Sequence, residues 1–235
     1  MVADSRYAIY FLPAPGSALA ERGAAWLGRD ALTGGAVAQH LPDGIDAAAF
    51  REKTESARRY GFHATLKAPI HLKEGVDEAA FLEAVADHAG RRPRFPLGPL
   101  SPKWIGPFLA LTPDSPDPQH VESLQAWTFD IVRALDPFRA PMGPEEAARR
   151  DKGLDDRQRQ LLKRWGYPYV ADQFRFHMTL SAPLPEGERP VWRDAARRWF
   201  APALETDQRI DALSVAVERD PPGPFVELAR LKLRG

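Results

Sequence analysis

His63 and His177 sit in two segments that repeat almost letter for letter, YGFHATLKAP over Tyr60–Pro69 and FRFHMTLSAP over Phe174–Pro183. Phe, His, Thr, Leu, Ala and Pro recur at the same offsets, 114 residues apart. Successive side chains of a strand point to opposite faces, so a histidine and a threonine two apart project together, about 6.5–7 Å apart along the chain. If both copies are strands, His63 joins Thr65 on one face and His177 joins Thr179 on another. Phe62, Ala64 and Leu66, and likewise Phe176, Met178 and Leu180, then point into a core. Two imidazoles suit a reaction that removes one proton and delivers another near neutral pH. Two hydroxyls can donate hydrogen bonds to phosphoryl oxygens that gain charge in a transition state. A cyclic phosphodiester fits this set: one histidine deprotonates water and the other protonates the departing alkoxide, with no metal or other cofactor needed.

The elements that must position these pairs repeat as well. After the first copy comes a helical pattern from Val76 to Gly90, then extended runs at Arg94–Leu100 and Trp104–Thr112. After the second come a helix at Pro190–Ala201 and strands at Ile210–Glu218 and Phe225–Leu233. An opening strand, Tyr7–Leu12, and helices at Ser17–Leu27 and Gln119–Leu135 complete the pattern. The expectation is an α+β fold, duplicated and bilobal: two facing antiparallel sheets flanked by helices and related by a pseudo-twofold axis. Residues 1–235 read as one domain, with lobes at 1–136 and 171–235 and an inserted segment, 137–170, as a lid or specificity element. The insert carries a polar helix, Leu154–Trp165.

HATL and HMTL, in two halves of a duplicated α+β unit, resemble the signature of the 2H phosphoesterase superfamily. RYAIYFLPAPGS, AWLGRDALTG, YGFHATLKAPI, LDPFRAP, RWGYPYV and FRFHMTLSAPL are similar, over Arg6 to Leu184, to the branch associated with carbon–phosphorus lyase operons of phosphonate metabolism. That resemblance implies a bilobal fold and a substrate such as ribose 1,2-cyclic phosphate 5-phosphate, opened to ribose 1,5-bisphosphate. Processing or ligation of RNA 2′,3′-cyclic phosphate ends is the alternative within the superfamily. A non-catalytic module binding phosphorylated ligands is the alternative of another class.

Further candidates for holding substrate lie near the motifs. Lys67 and Ser181 stand four residues after each histidine, and Arg175 stands two before His177. Tyr7 on the opening strand, Arg139 in LDPFRAP and Tyr169 in the aromatic run complete the set. The remaining histidines, His40, His71, His88 and His120, match nothing across the repeat and read as structural or exposed. Among 235 residues there are 32 Lys plus Arg, 32 Asp plus Glu and no cysteine. Neutral net charge disfavours long nucleic acid, whose binding draws on phosphate neutralisation, and favours a small phosphorylated sugar as partner. Without cysteine there is neither a disulfide nor a thiolate metal site. No signal peptide or membrane-length apolar run is seen, so the expected location is the cytoplasm. The glycines form no phosphate-loop pattern, which argues against a nucleotide triphosphatase.

Overall fold

The computed structural model describes residues 5–115 and 117–235. In chain order the strands and helices are β1 (Arg6–Phe11), α1 (Ala18–Leu27), α2 (Ala47–Tyr60), β2 (Ala64–Ile70), α3 (Glu78–Arg91), β3 (Phe95–Gly98), β4 (Leu100–Ile105) and β5 (Phe108–Pro113). Then follow α4 (Pro118–Leu135), α5 (Pro144–Arg150), α6 (Asp156–Trp165), β6 (Met178–Thr179), α7 (Arg189–Phe200), β7 (Gln208–Ile210), β8 (Ala212–Glu218) and β9 (Val226–Lys232). The helix starts are written locally. Side chains of Ser17, Asp46, Asp77, Asp117 and Asp155 accept from first-turn amides of α1, α2, α3, α4 and α6, satisfying donors that have no partner within the helix.

The fold is α+β with antiparallel pairing throughout its named strands. One sheet runs β4-β5-β6-β2-β1-β8-β9, and β3 pairs with β7 separately. At the centre, Ala64 of β2 pairs with Met178 of β6. These residues hold the same place in the two motifs, so a local twofold axis passes between them. The ladders on either side agree: Tyr10 and Phe11 of β1 oppose Thr65 and Ala64, while Ala110 and Leu111 of β5 oppose Thr179 and Met178. The duplicated unit is therefore strand, helices, motif strand, helix and two strands, running from β1 to β4 and again from β5 to β8, with β9 added at the edge.

Three expectations change in detail. The two sheets expected to face one another are one continuous sheet, because β2 and β6 bridge at the axis. The stretches 1–136 and 171–235 are interleaved rather than separate lobes: β8 pairs with β1, and β5 pairs with β6. The run Trp104–Thr112 is the end of β4, a turn at Gly106-Pro107, and β5, which opens the second unit. The second motif also forms a shorter strand than the first.

One face of the sheet buries Tyr7, Ile9, Phe11, Phe62, Leu66, Phe176, Met178 and Leu180 in the main apolar core. Behind Phe62 lies an aromatic cluster supplied by three helices. Trp26 and Phe50 have ring centroids 4.9 Å apart, Phe50 and Trp192 stack at 5.1 Å, and Phe62 stacks on Phe200 at 5.6 Å. The Trp26 indole N–H donates to the Leu180 carbonyl at 2.9 Å, tying α1 to the second motif. Such rings, each removing a large apolar area from water, hold the motif strands from behind. In the insert, α6 packs through Leu161 with Val170 against Val132 of α4. No helix among the described residues is long and apolar enough to cross a membrane.

Candidate active site

The alternation that sends Phe62, Ala64 and Leu66 into the core places His63 and Thr65 on the other face, both half-buried. Continuing the Ala64–Met178 register one step each way sets His63 opposite Thr179 and Thr65 opposite His177. Directly opposed residues of an antiparallel pair have Cβ atoms about 4.5–5.5 Å apart, so the four motif side chains form one cluster. This is the arrangement that the repeat suggested.

Each imidazole is oriented in the same way. Nδ1 of His63 lies 2.9 Å from the Gly61 carbonyl oxygen, and Nδ1 of His177 lies 2.7 Å from that of Arg175. A carbonyl only accepts, so Nδ1 carries the hydrogen in both rings and Nε2 is the exchangeable nitrogen. Nε2 of His63 is 3.1 Å from the Thr65 hydroxyl. Burial pulls the His63 pKa down to about 4, the Gly61 bond opposing it and the nearby His177 adding to it. Burial lowers His177 as well, against its bond to Arg175. Both rings are thus neutral near pH 7, the Nε2 lone pair of His63 accepting from the Thr65 hydroxyl.

The surroundings of the two rings differ. The Tyr10 ring lies on His63 at 3.9 Å between centroids, and Tyr10 is itself fully buried. The matching residue of the second unit is Ala110, and His177 is flanked instead by Phe108 at 5.8 Å. A cavity of about 440 Å³ opens beside the cluster, lined by Thr65, His177, Phe108 and Arg175 together with Tyr167 and Tyr169. The insert therefore supplies one wall. Among the described residues no three His, Cys, Asp or Glu side chains are grouped to hold a metal ion.

The other candidates fall into distinct places. Arg175 is exposed at the cavity rim, and Tyr169 lines it with its ring 5.5 Å from that of Tyr167. Ser181 is buried, and its hydroxyl accepts from the Leu109 amide at 3.1 Å, so it pins β5 rather than meeting a ligand. Tyr7 points into the core, and its hydroxyl donates to Glu78 at 2.8 Å. The site face of β1 carries Arg6, Ala8 and Tyr10 instead. Both faces of that strand are apolar, so its sequence offered no contrast to choose by. Lys67 does not share the Thr65 face in the simple way expected. Register shifts along the β1–β2 ladder interrupt the alternation, and the buried ammonium meets α4, 3.4 Å from the Val132 carbonyl and 3.9 Å from Asp136. Arg139 is paired with Asp136 at 2.8 Å and lies outside the cavity.

Sequence reasoning missed Tyr10 and Gly61. Gly61 ends α2 at φ 76° and ψ 176°, a region essentially restricted to glycine. A Cβ there would stand 2.5 Å from Cβ of Ala31. The turn that aims the Gly61 carbonyl at His63 requires this residue.

The family model described as "Protein of unknown function (DUF1045)" matches residues 65–226. The chain belongs to that family. This DUF1045 chain is 39% identical over 236 residues to "Ribose 1,5-bisphosphate phosphokinase PhnN" of Janthinobacterium sp. (strain Marseille), covering 98% of this chain and 51% of that protein. It is 39% identical over 226 residues to the protein of the same name from Laribacter hongkongensis (strain HLHK9), covering 96% and 51%. The chain thus spans about half the length of the curated relatives it matches. A solved structure of a conserved protein of unknown function from Agrobacterium tumefaciens str. C58 aligns over 96% of this chain and 85% of that one, with TM-score 0.43 and 11% identity.

Proposed function

We propose that this chain is a metal-independent 2H-type phosphodiesterase acting in phosphonate metabolism. Its reaction opens a cyclic phosphate on a small phosphorylated sugar, such as ribose 1,2-cyclic phosphate 5-phosphate, to give ribose 1,5-bisphosphate. The observation that carries this reading is the pairing of Ala64 with Met178, which brings two imidazole–hydroxyl pairs together about a local twofold axis. The relatives' name supplies the sugar, since ribose 1,5-bisphosphate is the product of the proposed step. Their name is that of a kinase, but this chain spans 51% of them and its glycines form no phosphate loop.

In this mechanism Nε2 of His63 accepts a proton from water as the water oxygen bonds to phosphorus. The bond from phosphorus to one ring-closing oxygen breaks, and Nε2–H of His177 protonates that alkoxide. His63 suits the base role because its burial under Tyr10 keeps it neutral; His177, facing the cavity, meets the leaving oxygen. The hydroxyls of Thr65 and Thr179 donate to the non-bridging oxygens as charge builds on them. Binding of an anionic phosphodiester raises both imidazole pKa values, which favours the protonated acid in the complex.

The test follows the sugar by phosphorus NMR, with and without chelator, beside a nucleoside 2′,3′-cyclic phosphate and an RNA 2′,3′-cyclic end. Conversion of the cyclic sugar to a monoester in the presence of chelator is the expected result. Activity lost with the metal, preference for the RNA end, or ATP-dependent phosphorylation of ribose 1,5-bisphosphate would each overturn the reading in a different way.

A further inference from the structure

A second recess adjoins the cavity beside the histidines, and the two share Ala68, Tyr167 and Val170 in their walls. Arg6, Lys67, His71, Arg139 and Arg150 line it, with Glu146 as the one carboxylate among the lining residues. We propose that this recess is an anion subsite that takes a phosphomonoester of the same sugar whose cyclic phosphate lies between the histidines. The proposal rests on the phosphodiesterase reading for its substrate, and it adds where the second phosphate is held and by what.

Charge is the first argument. The carboxylates paired with the lining cations are Glu218, Asp136 and Glu146. The four lining cations Arg6, Lys67, Arg139 and Arg150 thus share three carboxylates, two of which, Glu218 and Asp136, are also drawn on by Arg59 and Arg164 outside the recess, in a chain whose formal net charge is zero. A purely structural ion-pair network has no need of that excess. In a partly water-excluded recess the excess attracts an anion far more strongly than the same groups would on the surface.

Lys67 is the second argument. Its side chain is 3% exposed, yet among the described residues its polar partners are one carbonyl at 3.4 Å and one carboxylate at 3.9 Å. Buried charges normally have close partners, and an ammonium has three hydrogens to place. Lys67 therefore keeps donor capacity toward the recess, and burial brings its pKa down to about 8, the neighbouring Asp136 opposing this and Arg139 adding to it. An anion in the recess holds the ammonium charged.

Size and position complete the case. The recess has a volume of about 40 Å³, room for roughly three waters at about 10–15 Å³ each, as many positions as a phosphomonoester has terminal oxygens. Lys67 follows Thr65 by two residues across the irregularity of the β1–β2 ladder, so the recess it lines borders the cavity that Thr65 lines. Arg150 comes from α5 of the insert, held by Glu146 at 2.7 Å and donating to the Gly166 carbonyl at 2.8 Å. The insert thereby contributes to the choice of a doubly phosphorylated substrate.

Calorimetric titration with ribose 5-phosphate tests the subsite apart from turnover. The expectation is measurable binding that weakens about 10–100-fold in Lys67→Met and in Arg150→Gln and persists in His177→Ala. Arg150 lies on the insert, so its variant keeps the test decisive if Lys67→Met fails to fold. With the cyclic sugar as substrate, removal of the 5-phosphate should raise KM about tenfold or more in the wild type and change it little in Arg150→Gln. Absence of ribose 5-phosphate binding, or binding lost in His177→Ala but intact in both recess variants, overturns the subsite. Binding with the expected pattern but no opening of any cyclic phosphate upholds the subsite and overturns the phosphodiesterase reading instead.

Discussion

Gly61→Ala perturbs stability and chemistry through one atom. The residue sits at φ 76° and ψ 176°, where a side chain costs about 1–3 kcal/mol of backbone strain. The added Cβ meets Cβ of Ala31 at 2.5 Å and its Cα at 3.0 Å, and forcing that contact apart costs about 1–3 kcal/mol more. The expected loss is about 2–6 kcal/mol, a large share of the stability of an ordinary domain. Urea unfolding reads this as a lowered midpoint at unchanged slope. Ala31→Gly in the same chain removes the Cβ contact but not the strain, so it should restore about half of the loss. Because the Gly61 carbonyl fixes Nδ1 of His63, kcat should fall about 10–100-fold with KM little changed, as for a misplaced base. A Gly61→Ala protein with the wild-type midpoint and wild-type kcat would refute both the turn geometry and its role in aiming the imidazole.

His63→Ala and His177→Ala should each lower kcat by about 10²–10⁴ or more while leaving the urea midpoint near wild type, and turnover within a few-fold of wild type in either would remove that histidine from the reaction. Thr65→Ala and Thr179→Ala should cost about 10–1000-fold in kcat, read by steady-state kinetics. Since His63 titrates near 4 in the fold and about 6.5 unfolded, the unfolded chain binds more protons between those values. Stability from this group is complete above pH 6.5 and drains away as pH falls toward 4, measurable as a falling urea midpoint. With His63 as base and a lowered His177 as acid, kcat/KM should peak below pH 6.5, and a maximum above pH 7.5 would remove this pair from the acid and base roles. Gly23→Ala would set a Cβ 1.9 Å from the Phe62 ring, so a thermal melt should show clear destabilisation, with kcat falling alongside as the neighbouring His63 shifts.

The repeated decapeptides made the cluster legible, because strand alternation needs only sequence offsets and the two copies share them. Helices α1, α3, α4, α6 and α7 were readable within a few residues from the spacing of their apolar residues. Helix α2 was not: AAAFREKTESARRY buries only Phe50, Thr54 and Ala57, too thin a stripe to stand out. Lys67 was misplaced because a bulge leaves no trace in a residue count, and Tyr7 was preferred to Tyr10 because both lie on a strand buried on either side. The exchange of strands between units depends on which edges meet in space. Helical and strand periods do not encode that.

That exchange reaches beyond the site. Since β4 ends beside the second motif's partner strand and β8 beside the first motif's, neither half of the chain encloses its own histidine. The sheet that carries both histidines is completed only when residues 212–218 close on Arg6–Tyr10, a contact spanning almost the entire polypeptide. Such closure is entropically late and slow. An ancestral single unit with this topology would have gained a complete sheet only by trading its last strand with a twin.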